Sequence, residues 1–112
     1  MNSNEHIIRT YETASGRKPF TEWLSALKDK EARLRILRRI ERLKLGNFGD
    51  SKSIGAGVQE LRFHFGSGYR VYYMEIDHII VVLLCGGDKG SQSKDIEKAK
   101  EYAKDLRNRT HD

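Results

Sequence analysis

Val58-Gln59-Glu60-Leu61-Arg62-Phe63-His64-Phe65, then Gly66-Ser67-Gly68, then Tyr69-Arg70-Val71-Tyr72-Tyr73-Met74-Glu75-Ile76 is the stretch on which the fold turns. Successive side chains of a strand point to opposite faces, so Leu61, Phe63 and Phe65 share one face and Glu60, Arg62 and His64 the other. Gly66-Ser67-Gly68 reads as a short hairpin connection, with Tyr69 to Ile76 as the return strand. Asp77-His78 supplies a second tight turn into Ile79 to Cys85, a continuous apolar run. Such a run lies within a sheet, covered on both sides. Gly86-Gly87 is expected to break it.

Upstream, the period changes. Gly46 to Gly57 reads as a glycine-punctuated loop. Before it, Ala32, Ile36, Ile40 and Leu43 recur at helical steps from a start at Asp29, with Gly46 and Gly49 marking the end. Pro19 suits the first turn of an earlier helix, where its missing N–H is no loss. Phe20, Trp23, Leu24 and Leu27 give that helix one buried face. Ser15-Gly16-Arg17-Lys18 forms a turn, and His6 to Glu12 reads as a first strand. Downstream of Gln92, Ile96, Ala99, Ala103 and Leu106 describe a closing helix. The expected class is α+β: an N-terminal strand, a two-helix hairpin, three consecutive antiparallel strands and a C-terminal helix. The 112 residues suit one domain over 1–112. Helices would cover one sheet face and leave open the other, where Arg62 and His64 point.

Composition narrows the function. With 38% hydrophobic and 33% charged residues the chain suits a soluble protein, and no apolar run is long enough to cross a membrane. The first residues show no basic start followed by an apolar core, so no signal peptide is expected and the cytoplasm is the expected compartment. The lone Cys85 excludes an internal disulfide and reads as packing. His6, His64, His78 and His111 are scattered, and no Cys/His spacing suggests zinc. No phosphate-loop or dinucleotide fingerprint is present, so no cofactor is expected. The net charge of +5 attracts polyanions, nucleic acid first and an acidic protein second. Much of the charge lies in the second helix, where Arg35, Arg38, Arg39 and Arg42 are candidate contacts for RNA or for an acidic partner. A solvated helix face is the plainer reading.

Arg62, His64, Arg70 and Lys89 form the candidate catalytic set. Arg62 and His64 share a strand face, Arg70 returns across the hairpin, and Lys89 follows the last strand on a Gly-Gly-Asp-Lys loop. RNA is cut without metal when its own 2′-hydroxyl attacks the adjacent phosphate, which needs a base, an acid and positive charge on the phosphate oxygens. Arginine matches phosphate with a planar fork. Histidine is the side chain that exchanges a proton near neutrality, and surrounding cations would favour the neutral ring that a base requires. The plainer alternative pairs Arg62 and Arg70 with Glu60 or Glu75.

These segments together resemble a known group. Val58-Gln59-Glu60-Leu61-Arg62-Phe63, Gly68-Tyr69-Arg70-Val71-Tyr72-Tyr73 and Leu83-Leu84-Cys85-Gly86-Gly87-Asp88-Lys89 resemble the RelE/ParE toxin superfamily, and most closely its HigB-like, phage-derived Gp49-like branch of addiction module killer proteins. Pro19-Phe20-x-x-Trp23-Leu24 and Gln92-x-x-Asp95-Ile96-x-x-Ala99 fit that branch as well. The resemblance implies a toxin of a type II toxin–antitoxin system that cleaves messenger RNA, often on the ribosome. Its implied partner is a helix-turn-helix antitoxin from an adjacent gene. By position, Arg62, His64, Arg70 and Lys89 match the family's basic site residues, with His64 in place of a lysine. RelE has a catalytic tyrosine near its C-terminus; Asp95 falls near that place, and Tyr102 lies too far along the last helix. ParE-like members share the fold and poison gyrase without cutting anything, which is the competing reading. A non-catalytic nucleic-acid-binding module is the third.

Overall fold

The computed structural model describes residues 5–110. His111 therefore lies outside the described residues. The chain runs β1 (Ile7–Thr10), α1 (Pro19–Ala26), α2 (Lys30–Lys44), β2 (Ser51–Gly55), β3 (Val58–Arg62), β4 (Arg70–Ile76), β5 (Ile80–Gly87) and α3 (Gln92–Thr110), with a single 3₁₀ turn at Lys89–Ser91. This is a mixed α+β fold around one five-stranded sheet of order β1-β5-β4-β3-β2.

The helix boundaries follow from local chemistry. Pro19 opens α1. The Asp29 carboxylate caps α2 by accepting from the N–H groups of Glu31 and Ala32 at 3.0 and 3.2 Å. Gly46, at φ 85°, takes the left-handed conformation that ends α2. The Asp77-His78 turn has both residues at positive φ, 54° and 58°, as a two-residue hairpin connection requires.

Three expectations need correction. The segment read as a loop from Gly46 to Gly57 contains β2, which pairs antiparallel with β3. Its sequence, Ser51-Lys52-Ser53-Ile54-Gly55, lacks the run of β-branched residues that marks a strand. Pairing with β3 makes it an edge strand, where half-exposed polar residues are tolerated. Four consecutive antiparallel strands therefore replace the expected three, while β1 runs parallel to β5. Second, β5 runs through the expected break and ends only at Gly87, because both glycines stay in the ladder opposite Val71 and Arg70. A side chain on Gly86 would overlap the Trp23 ring of α1, so glycine here serves the close approach of helix to strand.

Third, neither sheet face is open along its middle. Phe20, Ile36, Ile40 and Leu43 pack with Leu61, Phe63, Val71, Tyr73, Val81 and Leu83 on one face. On the other, Ala99 and Ala103 of α3 meet Val58, Tyr72, Met74, Val82, Leu84 and Cys85. The apolar run of β5 needs cover on both sides, and the apolar stripe of α3 provides it on this face. A bulge between Tyr72 and Tyr73 leaves Leu84 without a cross-strand partner, which lets Leu84 and Cys85 both face α3. At one shared end of β3, β4 and β5 stand Arg62, Arg70 and, just past β5, Lys89.

Candidate functional site at the sheet rim

Arg62 of β3 lies directly opposite Arg70 of β4, and Arg70 opposite Gly87 of β5. Like charges in register destabilise a sheet. Each arginine has its own carboxylate: Arg62 Nη2 is 3.5 Å from Asp50 Oδ1, and Arg70 Nε is 3.6 Å from Glu60 Oε2. Neither Nε is hydrogen-bonded, although both are buried. Glu60, only 2% exposed, also accepts from the Tyr72 hydroxyl at 3.2 Å and the Gln92 amide at 2.9 Å. Arg70 is held at its other end by donating from Nη1 to the Gly68 carbonyl at 2.7 Å. Burial, and after it the Glu60 charge, pushes the Tyr72 phenol far above its ordinary range.

His64 lies just beyond the end of β3 with its side chain 76% exposed, and its Nε2 is hydrogen-bonded to Asp50 Oδ2. That bond is the main reason the Asp50 carboxyl sits below the usual carboxylate range, with the Arg62 charge adding to it. An ionised carboxylate can only accept, so Nε2 carries the hydrogen and Nδ1 of a neutral ring holds the lone pair. The expectation of a ring among cations alone is thereby corrected.

Sequence reasoning missed Asp50 because it missed β2. Asp50 stands immediately before that strand, and the pairing of Ser51 with Leu61 carries it to the rim beside Arg62. The available signal was an aspartate after Gly49 in a turn-rich stretch, which is too common to single out. Arg39 braces the same loop, donating to the carbonyls of Phe48 at 3.4 Å and Arg62 at 3.5 Å. A side chain on Gly49 would meet that guanidinium.

The backbone N–H of Lys89 donates to the Ser67 carbonyl at 3.3 Å, which ties the loop after β5 to the β3–β4 turn. Its side chain is exposed, and among the described residues no carboxylate lies within ion-pair distance of it. Arg62, His64, Arg70 and Lys89 thus line one hollow of about 390 Å³ together with the turn Gly66-Ser67-Gly68. Arg35, Arg38, Arg39 and Arg42 line a neighbouring hollow of about 270 Å³ with Phe63, His64 and Phe65. His64 is the residue at the seam, with Phe63 and Phe65 also common to both.

Other residues weighed from the sequence stand apart. Asp95 faces the space left by Gly87, and accepts from Ser91 Oγ at 2.5 Å. Burial raises its pKa. Tyr102 stacks on Tyr11 with ring centroids 4.8 Å apart, on the α3 side of the core. Cys85 is buried with its thiol pushed up to about 12 by burial, which keeps it un-ionised at neutral pH. His6 pairs with Glu75 at 3.5 Å, and His78 sits in the β4–β5 turn, so the histidines do not converge.

Fold and rim define a small α+β protein whose sheet is covered on both faces and whose strand ends bring Arg62, His64, Arg70 and Lys89 around one hollow. The chain belongs to the family of phage-derived Gp49-like proteins, whose profile matches residues 22–108. That family is of the RelE-like toxin type. The chain is also 52% identical over 87 residues to an uncharacterized protein of Haemophilus influenzae, a match covering 78% of this chain and 88% of that protein. No helix among the described residues is long and apolar enough to cross a membrane.

Proposed function

We propose that the protein is the toxin of a type II toxin–antitoxin pair, of the HigB-like kind, and that it cuts messenger RNA without a metal ion at the rim hollow. One observation carries this reading: Arg62 and Arg70 stand in register beside His64 and Lys89 around a single hollow. Asp50 and Glu60 each offset one arginine from one side, and the guanidinium forks keep further donors with which to bind a phosphate between them. Membership of a toxin-type family supports the same reading.

In the proposed reaction the arginine forks take the non-bridging oxygens of the scissile phosphate and stabilise the charge that builds there. His64 Nδ1 removes the proton from the 2′-hydroxyl, whose oxygen forms the new bond to phosphorus. The bond from phosphorus to the 5′-oxygen breaks, and the Lys89 ammonium supplies that oxygen's proton. The products are a 2′,3′-cyclic phosphate and a 5′-hydroxyl end. Asp50 acts as a positioning residue: it fixes which ring nitrogen of His64 is free and restrains an otherwise exposed side chain. The expected surroundings are the cytoplasm, mRNA on the ribosome, and a helix-turn-helix antitoxin from an adjacent gene.

Inducible expression in a bacterium tests this, with His64→Ala and Lys89→Ala as variants because both side chains are exposed and neither is needed for packing. Growth arrest with new internal mRNA ends, lost in both variants, is the expected result. Arrest with intact transcripts and damaged DNA would replace it with the gyrase-poison reading. Absence of arrest would refute both.

A further inference from the structure

Arg35, Arg38, Arg39 and Arg42 follow one another at i, i+3, i+4 and i+7 on α2, so they form one face of the helix. Three of them, Arg35, Arg38 and Arg42, are exposed, and among the described residues none of the three has a carboxylate within ion-pair distance. Arg39 is already engaged as the brace of the Asp50 loop. The Arg35 guanidinium lies over the Phe65 ring, 4.4 Å from its centroid. This face opens into the hollow that meets the rim hollow at His64.

Crowded guanidiniums repel one another, and the two acids of α2 at helical spacing from them, Glu31 and Glu41, form no ion pair with them among the described residues. The charge is therefore poised for an external anion. Phosphates recur along an RNA strand, so a strand seated with one phosphate between Arg62 and Arg70 presents its next ones to whatever lies beyond His64. A guanidinium held flat over an aromatic ring offers its other face to an unpaired base.

We infer that the α2 hollow is a second subsite for single-stranded RNA, in which Arg38 and Arg42 take backbone phosphates flanking the cut and Arg35 stacks a base. This rests on the reading of the chain as RNA-directed and extends it to substrate length: at least one nucleotide beyond the reacting pair is gripped. An acidic protein segment would need only charge; the Arg35–Phe65 plane and the shared His64 favour RNA.

The test is fluorescence anisotropy with a labelled, uncleavable 2′-O-methyl hexanucleotide between 50 and 200 mM salt. Losing two phosphate contacts lowers the slope of log K against log salt by about 1.4, and affinity near 150 mM by about tenfold. Arg38→Ala/Arg42→Ala should show both changes with an unaltered thermal melt, since its side chains are exposed. Arg35→Lys keeps the charge and removes the plane; it should weaken the hexanucleotide by about fivefold and leave an abasic hexamer unchanged. An unchanged affinity and slope in Arg38→Ala/Arg42→Ala overturns the proposal and leaves the face to an acidic protein. Wild-type protein that shows this binding pattern yet makes no cuts in cells would refute the nuclease and keep the subsite. Cuts in cells with binding indifferent to these arginines would do the reverse.

Discussion

Glu60 is a buried polar group whose removal should cost as much as a large core truncation. Its carboxylate is 2% exposed, accepts from Tyr72 at 3.2 Å and Gln92 at 2.9 Å, and lies 3.6 Å from Arg70 Nε. Glu60→Ala leaves the Tyr72 hydroxyl, fully buried, without its acceptor and strips Arg70, whose side chain is 13% exposed, of its only carboxylate among the described residues. A lost hydrogen bond is worth about 1 kcal/mol, and removing one partner of a buried ion pair costs about 3–5 kcal/mol. These overlap rather than add, so the expected loss is about 3–5 kcal/mol. For a domain of this size that lowers Tm by roughly 12–20 °C, at about 4 °C per kcal/mol. Urea and thermal unfolding of wild type, Glu60→Ala, Arg70→Met and the double variant measure it. Arg70→Met should cost less than Glu60→Ala, because methionine replaces the alkyl stem, and the double variant should recover part of the loss. If the two single losses add to within about 0.5 kcal/mol, the residues are uncoupled, and the claim that Glu60 holds Arg70 at the rim is wrong.

Four other outcomes follow from the packing and the charges. Gly86→Ala should overpack the seam between β5 and α1 at a cost of about 1–3 kcal/mol, and because the added Cβ overlaps Trp23, the chain's only tryptophan, intrinsic fluorescence should shift with it. Asp50 has a lowered pKa in the fold, so its stabilisation is present above the unfolded value of about 3.9 and is lost as pH falls through the folded one; the Tm advantage of wild type over Asp50→Asn should therefore close below about pH 4. Asp95 has the opposite sign, its pKa being raised, so Asp95→Asn should melt higher than wild type at pH 7 and match it in acid. Cys85, buried with a thiol near 12, should resist a thiol-reactive reagent in the native protein and react only as fast as the chain unfolds.

The sequence by itself determined the helices, their caps and most of the sheet. Asp29 and Gly46 bound α2 and Pro19 opens α1, because capping and backbone restriction act within a few residues. The two-residue alternation in 58–65 placed Leu61 and Phe63 in the core and Glu60 and Arg62 on the opposite face, since strand geometry is equally local. The basic set was legible for the same reason: Arg62 and His64 are two apart, and a three-residue turn returns Arg70 to them. What only the tertiary structure decided was everything that depends on which segments meet. Residues 51–55 have little strand character of their own and become β2 only by pairing with β3. That pairing brings in Asp50, and with it the tautomer of His64. Burial of Glu60 under the start of α3, the register that sets Arg62 against Arg70, and the meeting of the α2 arginines with His64 are long-range outcomes. Local periodicity assigns a side chain to a face; its partner there is chosen by the packing of elements distant in the chain.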